Sequence, residues 1–281
     1  MNCYICNNKK STKVKGTVRD IPELAILKCT RCGLVYLENF DHITDSYYEN
    51  SEMNDNGSLR AYEESCFDND LWRVNKYKSL FRNKTVLDFG SGLGGFITGM
   101  LKYAATFGCE LDPAWKDVNG DIGSWMYEDI NEIPDNHFDY ITLFHVLEHI
   151  KDPKTLLKKL TPKLKKNGTM IIEVPNADDA LLSLYDCKAF QNFTYWGCHL
   201  YLFNQSNLGR LIKQSKLKCS YIAQTQRYPL SNHMYWLAKG KPGGHKIWQC
   251  LDNQEPSEWY ENRLAKIGKC DTLVAYVKKG K

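Results

Sequence analysis

Two groups of residues in this sequence have types and spacings suited to chemistry. The first is cysteine. Cys3-x-x-Cys6 and Cys29-x-x-Cys32 form two pairs with 22 residues between them. A CxxC turn lets two thiolates reach one metal ion, and a second pair completes a tetrahedral set of the kind that holds structural Zn2+. Gly33, directly after Cys32, suits the backbone turn that such a knuckle needs. Four thiolates leave no open coordination position, so hydrolysis at this metal drops out of the candidate chemistries. A redox dithiol or unrelated buried thiols are the competing readings. The remaining cysteines show no pair spacing and read as small buried apolar residues.

The second group is Val86-Leu87-Asp88-Phe89-Gly90-Ser91-Gly92-Leu93-Gly94-Gly95. An apolar strand runs into glycines that let the backbone approach a ligand closely, and a helix follows. Gly90, Gly92 and Gly95 also satisfy the dinucleotide GxGxxG spacing, which is a weak signal alone. Asp88 separates the readings: a carboxylate beside the turn disfavours a pyrophosphate but attracts the cationic amino-acid end of S-adenosylmethionine. Glu110, closing the next strand with Asp112 just beyond, can accept from ribose hydroxyls in either kind of site. Asp129 can accept from an adenine amino group, or it can cap a turn. The cofactor-contacting set expected here is therefore Asp88, Gly90, Gly92, Gly94, Glu110, Asp112, Asp129 and His145.

In-line methyl transfer depends on alignment of acceptor and methyl group, and a hydroxyl or carbon-acid acceptor benefits from a general base, most often histidine. His145 follows the fourth expected strand, at the carboxyl edge where ligands bind in such sheets. Glu148 and His149 lie one turn further on. His199, in Trp196-Gly197-Cys198-His199-Leu200-Tyr201, falls in the loop region over the substrate side, beside Tyr201. His145 and His199 are comparable candidates for the base. Residues 227–245 form a long insertion between the last two strands, and long inserted loops are often functional. Lys239, Lys241, His245 and exposed glycine amides could hold a phosphate, Tyr235 and Trp236 could stack on a sugar or base, and Arg227 is a further candidate for substrate contact. A packing or dimer contact is the equal alternative.

These residues need a scaffold. From residue 84 onward apolar strand patterns alternate with helical ones, the mark of a largely parallel sheet covered on both faces. Strands are expected at 85–89, 104–110, 125–127, 140–144, 169–174, 221–224 and 272–277, with helices after the first, second and fourth. The last of these helices, 153–164, carries Leu156, Leu157, Leu160 and Leu164 on one face. Pro162 should kink its final turn, and Asn167-Gly168 should stop it. The fold class is α/β: a Rossmann-like seven-strand sheet, mostly parallel with the last strand antiparallel. The expected domains are a zinc knuckle at 1–40, a helical cap at 41–82, and an S-adenosylmethionine-binding domain at 83–281 with an inserted loop at about 227–268. The 281 residues suffice for this. Apolar residues at 43%, charged residues at 25% and a net charge of +4 fit a globular chain without a basic patch, so a nucleic-acid partner is not expected. No apolar run is long enough to span a bilayer. The N-terminus has no secretory pattern, and a cytoplasmic location is expected.

The order Val86–Gly95, Glu110, Asp129, Phe138-Asp139-Tyr140-Ile141, His145-Val146-Leu147-Glu148-His149 and Glu173-Val174-Pro175-Asn176 resembles class I methyltransferases over roughly residues 84–225. It looks most like the branch of ubiquinone-type O-methyltransferases and sugar C-methyltransferases. The cysteine knuckle followed by Gly33-Leu34-Val35-Tyr36 is similar to the N-terminal domain of the sugar enzymes. The resemblance implies that Gly90, Gly92, Glu110 and Asp129 contact S-adenosylmethionine, with Asp88 behind the turn. The Glu-His pair is common in the family whatever the substrate, which makes His149 mainly structural or cofactor-supporting. It further implies a small-molecule acceptor: a phosphorylated or nucleotide-linked sugar of surface-polysaccharide biosynthesis. The alternatives are an RNA methyltransferase using the knuckle to bind RNA, an NAD-dependent oxidoreductase, or a cofactor-binding protein without turnover.

Overall fold

In the computed structural model, residues 1–44, 47, 59–113, 115–116 and 120–280 are described, with backbone alone for 59–66 and 254. The strands are β1 (Ser11–Lys13), β2 (Ile26–Cys29), β3 (Val35–Leu37), β4 (Thr85–Phe89), β5 (Ala105–Cys109), β6 (Met126–Tyr127), β7 (Phe138–Phe144), β8 (Leu164–Pro175), β9 (Tyr201–Leu202), β10 (Leu217–Thr225) and β11 (Thr272–Lys279). The helices are α1 (Leu59–Phe81), α2 (Gly95–Met100), α3 (Pro153–Leu160), α4 (Ala180–Ser183), α5 (Lys188–Thr194), α6 (Gln205–Gln214), α7 (Leu230–Lys239), α8 (Gly244–Ile247) and α9 (Gln254–Lys266).

The larger sheet has the order β10-β11-β8-β7-β4-β5-β6. Strands β8, β7, β4, β5 and β6 pair in parallel, and β11 runs antiparallel between β8 and β10. This is the Rossmann-like seven-strand sheet anticipated from the alternation of elements. Its central strands are buried on both faces, which explains their nearly unbroken apolar runs. In β8 that run, Met170-Ile171-Ile172-Glu173-Val174, is interrupted once, by a glutamate with no exposure. On one face α1 lays Val74, Tyr77 and Phe81 against Phe96, Met100 and Phe144, with the Tyr77 ring stacked 5.3 Å from Phe81 and 5.6 Å from Phe144. That seam places the middle of α1, with Asn69, Asp70 and Arg73, beside the glycine turn.

The smaller sheet is β1-β2-β3-β9. Its fourth strand comes from far along the chain: Val35 pairs with Leu202 and Tyr36 with Tyr201. The N-terminal residues consequently share one apolar core with β7, β8, α3 and α6, running from Ile5 and Leu34 through Leu202 and Phe203 to Leu157 and Leu211. No helix among the described residues is long and apolar enough to cross a membrane.

Three sequence expectations are corrected. Helix α3 stops at Leu160, and Thr161–Lys163 form a 3-10 turn, because Pro162 lacks the N–H that would continue the helix. Asn167-Gly168 does not end a helix but lies inside β8, where the pairing slips between Phe138↔Leu164 and Tyr140↔Thr169. Gly168 fits this bulge because a Cβ there would crowd the carbonyl oxygens of Phe138 and Asp139. The insertion between β10 and β11 is no loop: α7, α8 and α9 occupy it. Its Tyr260 and Leu264 pack with Ala180, and Trp236 packs with Leu181 and Cys187. Helix α6 was also missed, although Asn204 and Asn207 form a reciprocal capping box at its start. In the stretch expected to be a helix after the second strand, 115–116 are helical and Gly120–Trp125 form a 3-10 helix, while 114 and 117–119, like 45–46 and 48–58 of the expected cap, lie outside the described residues.

The shared strand makes a prediction. Leu202→Ala, at a site 3% exposed, should cost about 2–5 kcal/mol, and both sheets should melt together in urea. A separate early transition of the N-terminal residues would show that they do not share the core.

Candidate active site

At the end of β4 the chain turns through Gly90, Gly92 and Gly94 with φ of 74°, 53° and 78°. A Cβ on Gly90 would overlap the Val146 side chain, so this position excludes larger residues on steric grounds as well as by conformation. Glu110 ties the turn to the end of β5. Its Oε2 accepts from the Gly92 N–H at 2.9 Å, and its Oε1 accepts from the N–H groups of Leu111 and Asp112 at 2.8 and 3.1 Å. Asp88 is buried beneath the turn and accepts from Thr142 Oγ1 at 2.6 Å. Burial there pushes its pKa up to about 8, against the pull of the Thr142 hydroxyl.

These residues line a first cavity of about 760 Å³ with Asp112, Trp115, Asp129, Ile130 and His145. Asp129 also caps its own turn, accepting from the Asn131 N–H at 2.6 Å. Gly94 is not on the cavity wall; it stands at the N-cap of α2.

At the floor, where β7 and β8 end, lies a buried charge cluster. His145 has a left-handed backbone (φ 56°), held by its N–H donating to the Glu173 carbonyl at 2.9 Å. Its Nδ1 bonds Glu148 Oε1 at 3.0 Å, and its Nε2 meets Arg227 Nη1 and lies 3.3 Å from Glu173 Oε1. Glu173 Oε1 also accepts from Arg73 Nε and Nη2 at 3.1 and 2.8 Å. Burial alone would raise both carboxyls. The Arg73 charge and the His145 contact instead hold Glu173 below the usual carboxylate range, and the His145 hydrogen bond brings Glu148 down to about 2. Both ring nitrogens of His145 are therefore engaged within the protein.

A second cavity of about 830 Å³ lies beyond this cluster, and Asn69, His145, Trp196, His199 and Arg227 line both. His199 sits on this shared wall. Its ring is edge-on to His149 at 4.9 Å and to Trp196 at 5.6 Å, and it makes no hydrogen bond to a described residue. Burial, reinforced by neighbouring His149, pushes its pKa down to about 3, so the ring is neutral at physiological pH. His149 Nδ1 lies 2.9 Å from the Cys198 carbonyl oxygen and so donates to it. His149, Cys198 and His199 bring ligand-type atoms within 4.8 Å of one another, but the nearby Arg19 charge acts on both Cys198 and His199 and opposes a cation there.

Several expected acceptor residues are placed elsewhere. Tyr201 is 1% exposed in β9, packed on Tyr4 and Phe40, with its hydroxyl donating to the Lys151 carbonyl; pairing with β3 makes it a core residue. Tyr235 is buried edge-on against Trp248. Lys239 and Lys241 flank Gly240, which terminates α7 in a left-handed conformation; both are exposed and line neither cavity. Arg227 and His245 do reach the second cavity. Arg73, Asn69 and Glu173 were not anticipated as site residues. Glu173 was readable as a charge inside a buried apolar strand, which demands a partner; Arg73 had no such signal.

The four N-terminal cysteines converge. Cys3 Sγ lies 3.4 Å from Cys32 Sγ and Cys6 Sγ 3.5 Å from Cys29 Sγ, and all four sulfurs are within 4.8 Å of one another. A tetrahedral zinc with Zn–S near 2.3 Å sets sulfurs about 3.8 Å apart, so the donor set fits. The Asn8 amide and the Arg31 N–H point at Cys29 Sγ, at 3.6 and 3.4 Å, and would support a thiolate.

A glycine turn tied to a carboxylate at the next strand end, on a sheet with an antiparallel seventh strand, defines a protein with the S-adenosylmethionine-dependent methyltransferase fold. A model of the methyltransferase domain family matches residues 68–220, and the chain belongs to that family. Among solved structures it resembles an S-adenosylmethionine-dependent methyltransferase from Archaeoglobus fulgidus (TM-score 0.54, 18% identity, covering 79% of this chain and 100% of that one). A similar one comes from Thermotoga maritima (TM-score 0.52, 18% identity, 79% and 95%). A Haloferax volcanii complex of a methyltransferase with the Trm112 activator also matches (TM-score 0.53, 14% identity, 79% and 95%). At these identities the likeness is one of fold. A search of curated proteins found no match.

Asp88 yields a pH prediction. Its folded pKa, raised from 3.8 to about 8, means that the native state keeps a proton the unfolded chain has released. Its contribution to stability is thus fully present below pH 3.8 and is lost as pH rises through 8. Asp88→Asn should stabilise the cofactor-free protein at pH 8 by on the order of 1 kcal/mol or more, with little effect at pH 4. Equal melting temperatures for the two proteins at pH 8 would contradict this.

Proposed function

We propose that this chain transfers the methyl group of S-adenosylmethionine to a small-molecule acceptor. The observation that carries the reading is the junction of two cavities at His145, His199 and Arg227. The glycine-turn cavity takes the cofactor, and the second cavity takes the acceptor. When bound, the cofactor supplies an electrophilic methyl on a sulfonium. We assign Glu110 and Asp129 to its ribose and adenine; Asp88 and Asp112 lie on the same wall, the backbone of Gly90 and Gly92 would allow close approach, and Gly94 shapes the turn. The Glu110 carboxylate is already oriented by three N–H donors, which lowers the cost of ordering it on binding.

Among the histidines, His199 is the base we assign. His145 has both nitrogens occupied, so its role, with Glu148, is to set the electrostatics at the floor, and His149 buttresses His199. A neutral His199 on the shared wall accepts a hydrogen bond from an acceptor hydroxyl and takes its proton as the methyl bond forms. A sugar or nucleotide-linked sugar is the acceptor we favour, supported by the sequence resemblance and by the aromatic lining of the second cavity. We assign a closed structural Zn2+ to Cys3, Cys6, Cys29 and Cys32, and take residues 1–40, 41–82 and 83–281 as knuckle, cap and catalytic domain.

Calorimetry with S-adenosylhomocysteine and, separately, NAD tests the cofactor. Binding of S-adenosylhomocysteine alone is expected, weakened about tenfold to hundredfold by Glu110→Ala; binding of NAD alone would overturn the reading. In turnover with an identified acceptor, His199→Gln should lower kcat by about 10²- to 10⁴-fold while leaving S-adenosylhomocysteine affinity in place. Metal analysis should find one zinc per chain, lost in Cys32→Ser.

A further inference from the structure

The charges on the wall of the second cavity are nearly all answered within the protein. Arg227 is ion-paired with Glu173 and meets His145 through Nη1, its buried Nε having no hydrogen-bond partner among the described residues. Asp271 accepts from the N–H groups of Arg227 and Tyr228 and from the Gln226 amide. Asp179 accepts from the Leu181 N–H, and burial beside Asp271 lifts it to about 8. Lys246 lies 3.4 Å from Asp68. His233 bonds Tyr260 and Gln226, and His245 is paired with Asn232.

Arg19 is the exception. It follows buried Val18 in the N-terminal module, and its backbone N–H donates to the Tyr195 carbonyl at 2.9 Å. Its guanidinium lies 4.1 Å from the Trp196 ring centroid and 5.2 Å from that of Phe193. Its side chain makes no hydrogen bond or ion pair with a described residue, and it lines the second cavity. Ring contacts engage the face of a guanidinium and leave its in-plane N–H groups open, the geometry that grips a carboxylate or phosphate through two parallel hydrogen bonds. Around it Phe190, Phe193, Trp196 and Trp236 form an apolar wall on the same cavity, suited to the uncharged body of a ligand.

We propose that the second cavity takes an anionic acceptor and that Arg19, carried by the four-cysteine module, receives its phosphate or carboxylate group. This rests on the reading of that cavity as the acceptor site, and it moves the anion contact from Lys239 and Lys241 to a residue more than two hundred positions earlier in the chain. Arg19 is then a specificity residue and takes no part in the proton transfer.

The test is an anion titration of the full-length, zinc-loaded protein, followed at the arginine Nε–H resonances, with Arg19 assigned by its disappearance in Arg19→Met. Inorganic phosphate and acetate are the probes, with chloride at matched ionic strength as the control. A saturable shift at Arg19 with phosphate or acetate, absent with chloride, is expected, and the tighter probe identifies the group preferred. Arg19→Met should weaken that binding about tenfold or more, Arg19→Lys less, and the double change Lys239→Ala, Lys241→Ala not at all. An Arg19 resonance that responds equally to chloride, or undiminished anion affinity in Arg19→Met, would overturn the proposal. The titration needs no cofactor, so failure to bind S-adenosylhomocysteine would count against the methyl-transfer reading separately.

Discussion

Glu173 carries a negative charge into the middle of an apolar strand, where no water reaches it, and three segments far apart in sequence converge on its Oε1. Arg73 arrives from α1, His145 from the end of β7, and Arg227 from the start of the insertion. An isolated buried carboxylate would be prohibitively costly. Each of these side chains is thereby fixed in position, and so is the element that bears it. Such a cluster is weak evidence for net stability, since well-packed apolar residues can match it. Its effect is on geometry: the first helix, the central sheet and the helical insertion meet in one register at the place where the two cavities join.

The cluster also distributes the chemistry. With His145 held between Glu148, Glu173 and Arg227, the histidine that looks best placed from the order of elements is the one least available for proton transfer. The His199 ring, by contrast, is packed against His149 and Trp196 and makes no hydrogen bond to a described residue. The floor of the site is thus charged and tied together through Glu173 Oε1, whereas His199 beside it is uncharged.

The scaffold was largely legible from sequence because it depends on period and punctuation. Thr85–Phe89 was placed to the residue and every other strand of the large sheet was located, although β8 and β10 begin five and four residues before their expected starts, since apolar runs bounded by glycine and polar turns leave little freedom. The glycine turn and Glu110 were legible for the same reason, as local backbone features. Features that depend on distant partners were not. Pro162 ended its helix at Leu160, four residues short of the expected end, and Asn167-Gly168 served a bulge visible only once β7 is laid beside β8. Tyr201 resembled an exposed ligand contact until β3 claimed it as a strand neighbour. Arg73 is one cation among many in α1, marked only by Glu173, a hundred residues away.

The strand β9 has a consequence for the site. The segment that ends in it is gripped by the N-terminal module at successive points: the Gly197 N–H by Asp20, the Gly197 carbonyl by His42, and the Leu200 carbonyl by the Leu37 N–H. His199 lies between these grips, so its place on the wall shared by the two cavities is gauged from outside the larger sheet. The four-cysteine end of the chain acts as a jig, setting where His199 stands on the wall between the two cavities. Wear in that jig would appear as lost alignment well before it appeared as lost fold.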